Sequence, residues 1–271
     1  MITSTNEYLP YNSKNIILTA KNVSDILGGI PGYAVRDVAL FQKAMVHSTY
    51  VKRAEYTTLT GEPAFLGKCP AGVMDLQPES YEQLEFRGDS LLGAVVANYL
   101  CERFPDAAPG FLTNARKLIV RNKTLGALAR DKLGLDKFFV ISKHVEEMRP
   151  EHGRQNIEKL GDVLEAFIAA LWIDCGCDFN IVNKFVVSLI ETHLDIPLLL
   201  REDDNYKDRM QKLCQQTKQF TPIYKMVSAN EDGGFTMAVC KPSGEVIAQG
   251  TASTKKQAEQ NACREALKCM L

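Results

Sequence analysis

Helical periodicity runs almost without interruption from residue 80 to about residue 194 of this 271-residue chain. No other feature restricts the fold as strongly, because apolar residues spaced three and four apart are typical of amphipathic helices that share a core. Ser80 and Gln83 have the spacing of a capping box at the first helix. Short connections rich in Gly, Pro and Asp then predict helices at 80–103, 111–133, 154–174 and 179–193. Residues 15–50 also look helical.

The pattern changes after about residue 204. A predicted helix (NYKDRMQKLCQQ) precedes the strand-like segments TPIYKMVS, GFTMAVC and EVIAQG, and a last helix follows. In that helix Ala258, Ala262 and Ala266 recur every fourth residue, a small-residue stripe that allows close packing on a sheet. The sequence therefore predicts a mainly α protein with a small α+β domain at its end.

The two parts carry opposite net charge. Residues 205–271 contain 10 Lys and Arg against 6 Asp and Glu, whereas residues 1–204 contain 22 against 27. An acidic body with a basic tail indicates a protein that holds cations in one place and a polyanion in another.

Three carboxylates open the first long helix, in the stretch YEQLEFRGDSLL. Glu82, Glu85 and Asp89 are spaced so that they share one helix face. The same face continues with the apolar residues Leu92, Val96 and Leu100. Like charges at the edge of a core lose hydration and repel each other unless a cation compensates. The stretch is therefore either a solvated helix face or one half of a metal site.

A second acidic pair, Asp162 and Glu165, lies three residues apart in GDVLEAFIAALWID. This helix is apolar nearly all round beyond Glu165, so its acids also stand at a buried edge. Two such helices would bring four or five carboxylates together. Oxygen-rich clusters of this kind suit magnesium or manganese, whereas zinc prefers His or Cys. The spacing leaves the reaction open.

Lys255 and Lys256 open the last helix, at the end where the helix dipole disfavours cations. They are either two solvated lysines or part of a phosphate-binding site. The order helix, three strands, helix favours the second interpretation, because it matches a module that recognises double-stranded RNA by shape.

No apolar run approaches the roughly 20 residues that a membrane span needs. The N-terminal stretch MITSTNEYLPYNSKN does not have the pattern of a signal peptide. The eight cysteines contain no C-x-x-C pair and are typical of buried thiols in a reducing compartment. We therefore expect an intracellular protein, cytoplasmic or nuclear, with no membrane partner.

Together these motifs resemble the ribonuclease III family. YEQLEFRGDSLL is similar to the signature E-R-L-E-F-L-G-D, FQKAMVHSTY to the H-x-S segment before it, and GDVLEAFIAALWID to the second acidic motif. The tail resembles a double-stranded RNA-binding domain. The resemblance implies an all-helical nuclease domain at 15–195, with an insertion or long loop at 51–79, and an α-β-β-β-α RNA-binding domain at 204–271.

The resemblance also implies roles for individual residues. Catalytic metal ions would be held by Glu85, Asp89, Asp162 and Glu165, with Asp89 and Glu165 as catalytic residues. Glu82 would support the metal site and contact RNA. Phe86 would dock into a partner subunit; the alternative is that Phe86 is buried within its own subunit. RNA would also be bound by Gln211, Gln215, Lys255 and Lys256. His47 is expected to be structural.

The function expected from this resemblance is a magnesium-dependent endoribonuclease, in which manganese would substitute. It would act as a homodimer on both strands of double-stranded RNA, leaving 5′-phosphate and 3′-hydroxyl ends. One alternative is a non-catalytic relative that binds double-stranded or ribosomal RNA, and another is a protein that only sequesters double-stranded RNA. The four retained acids favour the enzyme.

Three positions depart from the family pattern. Arg87 stands where the signature usually has Leu, and Pro109 where bacterial relatives carry a further acid. The loop SANEDGGF lacks the G-P-x-H sequence that reaches into a minor groove. Glu231 and Asp232 in this loop would repel phosphate, so we expect weaker RNA binding by this domain.

Overall fold

The computed structural model describes residues 7–57, 61–147, 152–201, 205–218, 220–229 and 234–270. The chain divides into two compact units, Met1–Leu200 and Arg201–Leu271. Among the described helices, none is both long and apolar enough to cross a bilayer.

Helices form most of the first unit, and α7 lies at its centre. The helices are α1 Ala20–Ile26, α2 Val38–Ala44, α3 Glu82–Arg103, α4 Pro109–Val120, α5 Asn122–Asp131, α6 Lys143–Glu146, α7 Ile157–Asp174, α8 Phe179–His193 and α9 Ile196–Arg201. Short 3₁₀ turns lie at Ser48–Tyr50 and Leu135–Phe138. From Val163 to Leu171 every residue of α7 is buried, because α2, α3, α5 and α8 pack around it. The predicted helical body is therefore confirmed.

The helices differ from the prediction in several places. The stretch 15–50, predicted to be helical, contains only α1, α2 and one 3₁₀ turn, with non-helical segments between them. The helix predicted at 111–133 is two helices, because Arg121 is extended, with φ −69° and ψ 142°. Thr124 closes this corner by donating its hydroxyl to the carbonyl of Leu118, 2.7 Å away. The predicted capping box is wrong: α3 begins at Glu82 without a side-chain cap, and the Ser80 hydroxyl donates to the Glu82 carboxylate at 3.1 Å.

Two strands of a small sheet lie in the segment predicted to be a long loop or insertion, and its third strand lies at Glu7–Tyr8. The sheet contains β1 (Glu7–Tyr8), β2 (Tyr56–Thr57) and β3 (Pro63–Leu66) in the order β1-β3-β2, with β1 parallel and β2 antiparallel to β3. Strands of two to four residues are too short for an alternating pattern to identify them in a sequence. Tyr8 and Tyr56 stack with ring centroids 5.3 Å apart, which joins the two edge strands.

The segment predicted as an insertion leaves and re-enters the first unit at one point. Val51 and Gln77 form an isolated β-bridge, and the backbone N–H of Lys52 donates to the carbonyl of Gln77 at 2.9 Å. The two ends of the insertion are therefore fixed side by side.

The second unit has the predicted order of one helix, three strands and a helix. Its elements are α10 (Tyr206–Leu213), a π turn (Cys214–Lys218), β4 (Ile223–Ala229), β5 (Phe235–Cys240), β6 (Val246–Ala252) and α11 (Lys255–Met270). The strands form an antiparallel sheet in the order β4-β5-β6. The predicted alanine stripe of α11 is fully buried. It allows an approach so close that a Cβ on Gly250 of β6 would lie 2.2 Å from the backbone nitrogen of Ala262.

Candidate active site

Helices α3 and α7 touch through their backbones at one point. A Cβ on Gly88 of α3 would lie 1.9 Å from the carbonyl oxygen of Glu165 in α7, so no side chain fits at this position. Gly88 lies between Glu85 and Asp89 in the chain. The absence of a side chain at Gly88 thus brings the two acidic motifs against each other.

Three of the four predicted metal ligands meet at this crossing. Glu85, Asp162 and Glu165 each place a carboxylate oxygen within 4.8 Å of the others. Glu165 is buried, whereas Glu85 and Asp162 are half-buried. We call these three residues the acidic cluster.

Asp89 lies beside the acidic cluster but is not part of it. Its side chain is exposed, and it supplies no oxygen to the set of mutually close atoms. Its charge nevertheless acts on the cluster. Burial, followed by the charges of Asp89, Glu85 and Asp162, raises the pKa of Glu165 to about 8.

The other two carboxyl groups of the cluster are also held in an unfavourable environment. Burial and the charge of Asp162 raise the pKa of Glu85. Burial also raises the pKa of Asp162, although hydrogen bonds from Asn122 and Tyr81 and the charge of Lys159 oppose this effect. Among the described residues, no ion pair includes Asp89 or a member of the cluster. The donor set is rich in oxygen and short of positive charge, which fits a hard divalent cation such as magnesium.

Two residues that the sequence did not indicate hold Asp162 in place. The Asn122 amide donates to Oδ1 of Asp162 at 2.6 Å and to the carbonyl of Glu158 at 3.2 Å. The hydroxyl of the buried Tyr81 donates to Oδ2 at 3.4 Å. Tyr81 is the first residue of the stretch YEQLEFRGDSLL, although its role is not visible there, and no sequence pattern marks Asn122.

Glu82 and His47 stand at the edge of this site. Glu82 is exposed and lies outside the acidic cluster. Nδ1 of His47 accepts a hydrogen bond from the backbone N–H of Thr49 at 3.2 Å, and the ring packs edge-on against Phe139. Burial and the nearby charge of Lys159 lower the pKa of His47 to about 4. His47 is therefore neutral near pH 7 and held by packing.

Phe86 lies on the outer surface of α3. Its side chain is 78% exposed, whereas that of Leu84, two residues earlier, is buried. The interpretation that Phe86 fills the core of its own subunit is therefore wrong. A shallow depression around it is lined by Glu82, Gln83, Arg87 and Ser90. Pro109, the other departure in this unit, occupies the first position of α4, where proline is favoured.

The predicted RNA-binding residues of the second unit are all exposed. Lys255 and Lys256 are the first two residues of α11, and the Lys255 ammonium lies 5.6 Å from the ring centroid of Phe235. Gln211 lies in α10, but Gln215 lies in the π turn that follows, so the single helix predicted here changes its winding between them. Glu231 and Asp232 lie outside the described residues.

Two family models match the chain. Residues 82–176 match the Ribonuclease III domain, and residues 206–269 match the Double-stranded RNA binding motif. These ranges contain the acidic cluster and the α10–α11 unit, respectively.

Similar proteins carry the same family name. Ribonuclease 3 of Acinetobacter baylyi is 35% identical over 70% of this chain and 82% of its own length. Ribonuclease 3 of Syntrophobacter fumaroxidans is 29% identical over 90% of this chain and 93% of its own length. A probable ribonuclease 3 of Acanthamoeba polyphaga mimivirus is 29% identical over 94% of this chain, which spans 46% of the viral protein.

A solved nuclease domain of ribonuclease III from Campylobacter jejuni is also similar. It is 26% identical to this chain, covers 65% of it and 99% of its own length, and superposes with a TM-score of 0.48.

Proposed function

The chain belongs to the ribonuclease III family, and we propose that it is a magnesium-dependent endoribonuclease that cleaves both strands of double-stranded RNA. The products would carry 5′-phosphate and 3′-hydroxyl ends, and manganese would substitute for magnesium. We assign the nuclease domain to residues 15–195 and the RNA-binding domain to residues 204–271.

One observation carries this proposal. The close crossing at Gly88 gathers the carboxylates of Glu85, Asp162 and Glu165 at a buried edge, with the charge of Asp89 beside them. A protein that only binds RNA has no use for buried anions, because they repel phosphate and destabilise the fold.

The side chains of the site then have distinct roles. Glu85, Asp162 and Glu165 would hold the cation, and Asp89 would add a fourth carboxylate from the exposed side. A bound divalent cation would stabilise charge on the phosphate and lower the pKa of an attacking water. Asn122 and Tyr81 orient the Asp162 carboxylate through their hydrogen bonds. Because its pKa is raised to about 8, Glu165 holds its proton near neutral pH in the metal-free protein, and binding of a cation there would favour its release.

The second unit would hold the substrate. Lys255 and Lys256 extend from the N-terminus of α11, where backbone N–H groups also favour phosphate. Gln211 and Gln215 would contact the minor groove. Because this recognition depends on shape, it would accept duplexes of different sequence.

A homodimer would account for cleavage of both strands. One chain supplies one acidic cluster, whereas the two strands of a duplex are antiparallel and related by two-fold symmetry. A two-fold dimer offers each strand the same site. The exposed Phe86 is the aromatic side chain that would enter the partner at this interface.

The proposal is tested by incubating end-labelled duplex RNA with the protein and magnesium, followed by gel analysis. We expect shortened products on both strands, and no cleavage when a chelator replaces magnesium. An intact duplex under saturating protein and metal would favour the alternative, a non-catalytic relative that binds RNA.

A further inference from the structure

Beyond Tyr81, whose hydroxyl contacts Asp162 of the acidic cluster, lies a group of three side chains with hydrogen-bond donors around the ring of His47. We call His47, Arg53 and Lys159 the basic shoulder. Arg53 and Lys159 have no carboxylate within ion-pair distance in the part of the chain that the structure describes. Neither cation therefore has an ion-pair partner among the described residues, although the charge of Lys159 acts on Asp162 of the cluster.

The tautomer of His47 follows from its contacts. The backbone N–H of Thr49 is always a donor, so Nδ1 of His47 must accept its hydrogen bond at 3.2 Å. The hydrogen of the neutral ring is then on Nε2. Among the described residues Nε2 has no hydrogen-bond partner, and it is not one of the two buried atoms that lack a partner. Nε2 is thus an N–H donor that is not fully buried and has no partner among the described residues.

Arg53 and Lys159 are held by backbone carbonyls. Nη2 of Arg53 donates to the carbonyl of Ser48 at 3.2 Å, next to His47 in the chain. Nζ of Lys159 donates to the carbonyl of His152 at 3.2 Å. Each contact leaves other N–H groups of the same cation available.

A chain of contacts connects the shoulder to the acidic cluster. The ring of His47 lies 6.0 Å from that of Tyr81, whose hydroxyl reaches Asp162. Lys159 lies three residues before Asp162 on the same face of α7. The charges of Lys159 and Arg53 both lower the pKa of His47, which is consistent with both cations lying near its ring.

We propose that the basic shoulder binds a backbone phosphate of the RNA strand next to the phosphate held at the acidic cluster. The acidic cluster would repel the substrate strand without a cation, and the shoulder supplies compensating donors at its border. Arg53 and Lys159 are then positioning residues, and the 51–79 insertion contributes a substrate contact through Arg53. This inference rests on the proposed function.

The test measures binding of labelled duplex RNA to the full chain in chelator, where cleavage does not interfere. The variants are Arg53→Gln, Lys159→Gln and the charge-conserving Arg53→Lys. The control is Lys132→Gln, since Lys132 is exposed at the end of α5 that lies about 15 Å from Asn122. Circular dichroism verifies that each variant is folded.

We expect each Gln variant at the shoulder to bind severalfold more weakly and to lose about one unit from the slope of log affinity against log salt. Arg53→Lys should keep most of the affinity, and Lys132→Gln should match the parent. If the parent cleaves RNA but Arg53→Gln and Lys159→Gln bind like Lys132→Gln, the shoulder is not a phosphate site. A parent that neither binds nor cleaves duplex RNA would instead contradict the proposed function.

Discussion

The backbone of Gly88 lies against the carbonyl of Glu165, with room for a hydrogen atom and not for a methyl group. This contact sets the distance between the two helices that carry the acids. Loss of this contact should therefore reduce activity more than it disturbs the packing of the surrounding core.

Gly88→Ala should separate α3 from α7, lower the free energy of unfolding by about 1–3 kcal/mol, and strongly reduce cleavage. Gly93→Ala is the matched control, because it lies on the same helix and its Cβ would meet nothing within 4 Å. It should be neutral or slightly stabilising, since Ala favours helices. Denaturant unfolding and a cleavage assay measure both effects. Equal activity of the two variants would show that the close crossing is not needed.

Glu165→Gln should abolish cleavage while duplex RNA binding stays nearly intact. The change removes a carboxylate from the acidic cluster and alters no proposed phosphate contact. Gel assays and binding titrations on the same preparation separate the two properties. Residual turnover within about tenfold of the parent would contradict the metal-ligand assignment, since loss of a ligand is expected to reduce activity by more than this factor.

The same substitution should stabilise the metal-free protein at alkaline pH. Glu165 has a folded-state pKa of about 8, raised from an ordinary value of 4.5 by burial and by neighbouring charges. Its contribution to stability is present below pH 4.5 and is lost as pH rises towards 8, because the unfolded chain releases the proton first. In chelator, Glu165→Gln should lose less stability than the parent between these pH values. Parallel pH profiles of the two proteins would contradict the raised pKa.

Deletion of residues 204–271 should leave the chemistry possible but weaken binding and flatten its salt dependence. Each lost phosphate contact removes roughly one unit from the salt slope. Binding titrations over a range of salt concentrations measure this change. Equal binding by the truncated protein at physiological salt would show that Lys255 and Lys256 do not hold the RNA.

Phe86→Arg should give a folded monomer that no longer cleaves both strands. Charge at the centre of an interface is strongly disruptive, and a buried interfacial aromatic contributes about 2 kcal/mol or more. Phe65→Arg is the matched control, because Phe65 is 81% exposed and lies in the small sheet. Sedimentation should show a monomer for the first variant and a dimer for the second. A fully active dimer of Phe86→Arg would place the interface elsewhere.

Features with a local pattern were predictable from the sequence. Glu85 and Asp89 lead into buried Leu92 and Val96 as their spacing indicates, and the buried alanines of α11 follow the same rule. Contacts between residues that are distant in the chain were not predictable. Asn122 meets Asp162 across 40 residues of chain, through a helix start at Arg121 that has neither Gly nor Pro to announce it. The position of Asp89 outside the acidic cluster likewise depends on how α3 and α7 cross.

The bridge between Val51 and Gln77 fixes the two ends of the segment predicted as an insertion, so the exposed turns of that segment can change length at little cost. Because its ends are fixed together, doubling the enclosed loop adds only about 0.6 kcal/mol of closure entropy. Insertions and deletions there leave the register of α2 and α3 untouched. Evolution and protein engineering can therefore vary the exposed part of this segment, whereas Leu76 is constrained because it is buried in the core of the first unit.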